Sequence, residues 1–84
     1  MSWTKKNGYL IKKFEFSSYE SGLKFVNEIA RISNEVNHHP DIILKYNRVI
    51  VRTTTHDEGN TISDKDYNLT ALIDNLIEKD GKGA

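Results

Sequence analysis

The sequence contains no cysteine, which removes disulfides, thiolate metal sites and cysteine nucleophiles together. It has no charge excess: 12 basic and 12 acidic residues cancel. Nucleic-acid binders carry a basic surplus that neutralises phosphates, so no direct nucleic-acid partner is expected. Lys5-Lys6 and Lys12-Lys13 could form a local patch, but they read more simply as a solvated edge. No apolar run approaches membrane-spanning length, and the start lacks a signal-peptide stretch. The expectation is a cytoplasmic protein without a membrane partner. Repeats, linkers, low-complexity tracts and a Gly-rich phosphate loop are absent as well. With 84 residues, the chain is expected to form one domain, 1–84. So short a chain buries a modest share of its surface, and with disulfides excluded, self-association is the natural supplement.

What is present reads as alternating strands and helices. Asn7-Gly8 is a strong turn signal between a short strand, Ser2–Lys6, and a longer one, Tyr9–Phe16. In the latter, Phe14 and Phe16 share one face, and Lys13 and Glu15 the other. Ser17-Ser18 offers a cap for a helix from Tyr19, with Leu23, Val26, Ile29, Ala30, Ile32 and Ser33 as its apolar stripe and Phe25 and Val36 near its edges. The single proline, Pro40, stops that helix at or before His39. Ile42–Tyr46 and Arg48–Thr55 form two strands around Asn47, the second turning Val49, Val51, Thr53 and Thr55 one way. A turn follows at Asp57–Asn60. Ser63 and Asp66 match a capping box, in which the acid reaches back to a free amide. The last helix runs to about Lys79, with Tyr67, Leu69, Leu72, Ile73, Leu76 and Ile77 for its buried side. The tail, Gly81–Ala84, is expected to fray. The order β-β-α-β-β-α suits an α+β fold: a four-stranded, mainly antiparallel sheet with both helices on one face.

The chemistry rests on histidine. Taken singly, His38 and His39 read as helix-end residues and His56 as a strand-end residue. If the helix end and the strand end meet, three imidazoles come together, and imidazole gives and takes protons near neutrality. Periodicity alone does not decide whether they meet. Zinc is the other use of three histidines. This set lacks a compact ligand motif, and adjacent His38 and His39 are awkward ligands for one tetrahedral ion.

His38-His39-Pro40, Tyr46, His56 and Asp66, at these spacings, resemble the pterin-4a-carbinolamine dehydratases. Trp3, Phe14, Phe16, Tyr19, Phe25 and Val26 upstream, and Asn68-Leu69 downstream, extend the resemblance over essentially the whole chain. It implies dehydration of a 4a-hydroxytetrahydropterin to the quinonoid dihydropterin, with no metal and no cofactor. His38 and His56 would transfer protons, and His39 would bind or orient the pterin and could assist. Trp3, Asn34, Pro40, Thr55, Asp57 and Asp66 would be substrate-binding positions. Asp66 has a capping role available to it equally. The chain departs from the family at Asn34, where an acid is common, and at Ile42, where tryptophan is common. Its His56–Asp66 stretch is one residue longer than in many relatives, and the N-terminal helix of longer members is not represented. The resemblance also implies a homodimer or homotetramer. Two other roles stay open: a non-catalytic dimerisation or transcriptional-cofactor-like protein, since one animal relative serves that way, and a pterin-binding protein with little turnover.

Overall fold

The structure is a computed structural model describing residues 3–56 and 59–80, with side chains described through residue 77. The expectations that fall on Ser2, Asp57, Glu58 and residues 81–84 lie outside these. The elements are β1 (Thr4–Lys6), β2 (Tyr9–Glu15), α1 (Tyr19–Val36), β3 (Asp41–Lys45), β4 (Arg48–Thr53) and α2 (Asp64–Asp80). The sheet order is β1-β2-β4-β3, and every neighbouring pair is antiparallel. This is the α+β arrangement expected, with both helices covering one sheet face.

Local chemistry sets the boundaries. Asn7 and Gly8 both take positive φ, 53° and 83°, as a tight hairpin turn between β1 and β2 requires. Ser18 caps α1, its side chain accepting from the Ser21 amide at 3.1 Å. At the other end Asn37 is left-handed (φ 55°), and both its amide and that of His38 turn back to the Ser33 carbonyl. The helix therefore stops at Val36, ended by Asn37 before Pro40 can act.

The core joins Phe14, Val49 and Val51 of the sheet to Phe25, Ile29 and Ile32 of α1 and Leu69 and Ile73 of α2. Ile29, Val49, Val51, Leu69 and Ile73 are wholly buried, and each such side chain is worth about 1.5–3 kcal/mol relative to exposure. Three expectations need correction. Phe25 lies at the centre of the buried stripe of α1, while Leu23 (42 % exposed) and Ala30 face outward, because the helix turns its Gly22–Phe25–Ile29 face to the sheet. Tyr67 of α2 is 47 % exposed, and Asp66 takes the buried position beside it. Lys12 does not lie on a solvated edge. It sits opposite Val51 on the helix-facing side of the sheet, its side chain 12 % exposed. There it meets Asp74 of α2 at 2.9 Å, with its ammonium 4.9 Å from the Phe14 ring centre.

Candidate active site

The end of β4, the start of α2 and the end of α1 meet at one carboxylate. Alternation along β4 turns Thr53 inward behind Val49 and Val51, and Thr55 continues the pattern just past the strand. Both threonines and Asp66 are almost completely buried, and buried polar groups must find partners. They find one another. Asp66 Oδ1 accepts from the Thr53 hydroxyl at 2.6 Å, and Oδ2 accepts from the Thr55 hydroxyl at 2.7 Å. Oδ2 also accepts the Ser63 amide at 2.9 Å, completing the capping box, while the Ser63 hydroxyl lies 2.6 Å from that of Thr55.

The remaining partner of Asp66 is His38, whose Nε2 lies 2.7 Å from Oδ1. His38 belongs to the α1 cap, so the left-handed turn at Asn37 that ends the helix also delivers this ring. Burial alone would push the Asp66 carboxyl up. The hydrogen bonds from Thr53, Thr55, His38 and the Ser63 amide together outweigh it and hold Asp66 below the ordinary carboxylate value. Asp66 is thus ionised at neutral pH and only accepts. His38 must donate from Nε2, and in the neutral ring Nδ1 carries the lone pair.

The other two histidines have partners of their own. His39 Nε2 lies 3.0 Å from Asn34 Oδ1, and His56 Nδ1 lies 2.7 Å from Asn60 Oδ1; both rings are exposed. Each follows its neighbour in the Asp66 cluster by one residue, His39 after His38 and His56 after Thr55, about 3.8 Å from Cα to Cα. His38 and Thr55 therefore meet at Asp66, while the His39 and His56 rings are bonded to Asn34 and Asn60 outside that cluster. An amide oxygen accepts, so His39 keeps its Nδ1 lone pair and His56 its Nε2 lone pair. Three imidazoles with one nitrogen held and one open can accept protons when neutral and donate them when charged.

Of the other candidate residues, Pro40 is half-buried between His39 and β3, and Asn34 holds His39. Trp3 is held elsewhere: its Nε1 donates to both Asp74 oxygens at 3.2 and 3.1 Å, and its ring meets Phe14 edge-on at 5.9 Å. Asp74 lies about 12 Å along α2 from Asp66, so the structure does not bring Trp3 to the histidines through that tether. Asp57 lies outside the described residues. Sequence reading passed over Thr53 and Asn60 as site residues. The signal for Thr53 was a hydroxyl on an inward strand face, where it needs a polar partner. Nothing in the sequence pointed to Asn60. Among the described residues, no three His, Cys, Asp or Glu are grouped to hold a metal ion.

Fold, histidine spacing and the buried aspartate together define a pterin dehydratase-type domain. The family model described as pterin 4 alpha carbinolamine dehydratase matches residues 1–76, and the chain belongs to that family. A protein of Metallosphaera sedula, provisionally named pterin-4-alpha-carbinolamine dehydratase, is 41 % identical over 75 residues, covering 89 % of this chain and 77 % of the relative. A protein of Sulfurisphaera tokodaii with the same provisional name is 40 % identical over 75 residues, covering 89 % and 80 %. The crystal structure of a transcriptional coactivator/pterin dehydratase from Brucella melitensis superposes with a TM-score of 0.83 at 25 % identity, covering 89 % of this chain and 81 % of that one. A pterin dehydratase-like protein described as a RuBisCO assembly factor in the alpha-carboxysome gives 0.73 at 26 % identity, covering 90 % and 89 %.

Proposed function

We propose that this chain dehydrates a 4a-hydroxytetrahydropterin to the quinonoid dihydropterin and water, by proton transfer through His38 and His56. The observation that carries this reading is the 2.7 Å bond from His38 to a buried, ionised Asp66, in a chain whose family is defined by that chemistry. In the reaction the C4a–O bond breaks, the oxygen leaves as water with a proton from an acid, and a ring N–H proton passes to a base. His38 and His56 take those two roles. His39, steadied by Asn34, orients the pterin. Asp66 is a positioning residue that holds His38 and stabilises its imidazolium when it forms. Pro40 and Asp57 complete the proposed binding positions, whereas Thr55, buried against Asp66, and Trp3, held at Asp74, are supporting residues rather than pterin contacts. The open side of the edge strand β3 supports assembly into a homodimer or homotetramer.

The rate of 4a-hydroxytetrahydropterin dehydration, followed by loss of the intermediate's absorbance, tests the proposal with wild-type protein and His38→Ala. Acceleration over buffer that collapses in the variant is expected. Folded wild-type protein with no acceleration would sink the reading. A second reading, a role in protein assembly without turnover, draws support from the structural likeness to a RuBisCO assembly factor. It predicts that His38, His39 and His56 can all be replaced without loss of function.

A further inference from the structure

His56 follows Thr55, which is joined to Thr61 by two backbone bonds, at 3.0 and 3.4 Å, and the Gly59 amide returns to the His56 carbonyl at 3.0 Å. Gly59 and Asn60 follow with positive φ, 77° and 57°. The left-handed turn at Asn60 swings its side chain back, and Oδ1 meets His56 Nδ1 at 2.7 Å. Thr54 and Asn60 rest on the β1–β2 turn. Thr54 donates its hydroxyl to the Gly8 carbonyl at 2.7 Å, and a Cβ on Gly8 would collide with the Asn60 carbonyl oxygen. Gly8 is therefore the residue that lets the two turns stack.

We propose that Asn60 is a positioning residue for His56. By accepting from Nδ1 it selects the Nδ1–H tautomer and leaves the Nε2 lone pair as the proton-accepting nitrogen, with the Gly8 turn fixing where Asn60 stands. An imidazole free in water favours the opposite tautomer, so the choice must be imposed by a partner. This role rests on the dehydratase reading, in which His56 moves a proton. His38 obtains its tautomer from a buried carboxylate, whereas His56 obtains the reverse one from an exposed amide. The two rings thus present different nitrogens.

Asn60→Gly is the deciding variant, because glycine keeps the positive φ and removes only the acceptor. Long-range proton–nitrogen NMR of the histidine rings, without substrate, should show His56 as Nδ1–H in the wild type and largely Nε2–H in Asn60→Gly. Its kcat should fall about tenfold, the scale of one hydrogen bond, with KM little changed. Asn60→Asp keeps an oxygen acceptor and tolerates the left-handed backbone, so it should restore the Nδ1–H form. Gly8→Ala should show the Asn60→Gly signature while circular dichroism reports an intact fold. The role is overturned if Asn60→Gly leaves the His56 tautomer unchanged, or changes it without slowing turnover. A folded wild type that shows no dehydration rate overturns the dehydratase reading instead, and the NMR comparison still decides whether Asn60 sets the tautomer.

Discussion

Replacing Asp66 with asparagine keeps the shape of a wholly buried side chain and removes its charge. In the native protein Oδ1 receives His38 and Thr53, and Oδ2 receives Thr55 and the Ser63 amide. An amide offers one acceptor and one donor, so one side of this arrangement must reverse. The Ser63 N–H cannot reverse. Hydroxyls rotate, and an imidazole reverses by moving its proton. The amide nitrogen therefore turns to His38 and Thr53, and His38 becomes an Nδ1–H ring accepting at Nε2. The stability loss should be modest. Hydrogen bonds to a charged group are worth roughly 1 kcal/mol more each than neutral ones, and relief from burying a charge returns part of that. A net loss of about 2 kcal/mol lowers Tm by about 10 °C in a domain of this size. Turnover should suffer far more, because His38 presents a proton where it had a lone pair; acid–base catalysis contributes about 10²–10⁴-fold, and a loss of about 10²-fold or more is expected. Thermal unfolding by circular dichroism, stopped-flow turnover and histidine nitrogen shifts measure all three. The reasoning is refuted if His38 keeps its proton on Nε2 in Asp66→Asn, or if turnover falls only with the folded fraction.

Further outcomes follow from the same contacts. Because the Asp66 carboxyl is held below its ordinary value, its contribution to stability is complete above about pH 3.9 and disappears as pH falls through the lower folded value. Urea midpoints should drop through that acid window in the wild type and drop less in Asp66→Asn; equal slopes would contradict this. Asp74→Ala strips Lys12 and Trp3 of a shared partner. It should cost about 1–3 kcal/mol and shift the emission of the single tryptophan to the red, and an unchanged spectrum would argue against the tether. Ile73→Ala empties a wholly buried position and should cost about 2–5 kcal/mol in chemical denaturation while leaving the His38 tautomer as in the wild type.

Much of the fold was legible because strong local signals agreed. Asn7-Gly8 marked the hairpin, Ser18 the start of α1, and Ser63 with Asp66 the start of α2, and each acts through a backbone group that the sequence alone identifies. Helix faces were less legible. Leu23 and Phe25 both fit a 3.6-residue period, and the close approach of Gly22 to Leu44 and Val49 accompanies the face on which Phe25 turns inward. Lys12 reads wrongly as solvated because a lysine pair suggests solvent, whereas strand alternation puts its two members on opposite faces. For the site, spacing and resemblance singled out His38, His39, His56 and Asp66. What joins His38 to Asp66 is a contact across 28 positions, which no local rule supplies. Asn60 lay further out of reach, since its role depends on a left-handed backbone stacked on a remote glycine.

The capping box at Ser63–Asp66 has a consequence for how the chain comes to life during folding. Its acid begins α2, yet it is shared with β4 and with the cap of α1, partners 11, 13 and 28 residues away. Such contacts close loops of the chain, whose entropy is lost before the contact stabilises anything. An isolated α2 can still use Asp66 to start its own first turn. His38 is oriented only when both helices and the sheet have docked, so a partly folded chain would hold helix and strand yet have no ordered proton-transfer ring. Recovery of turnover in a refolding experiment should therefore lag recovery of secondary structure.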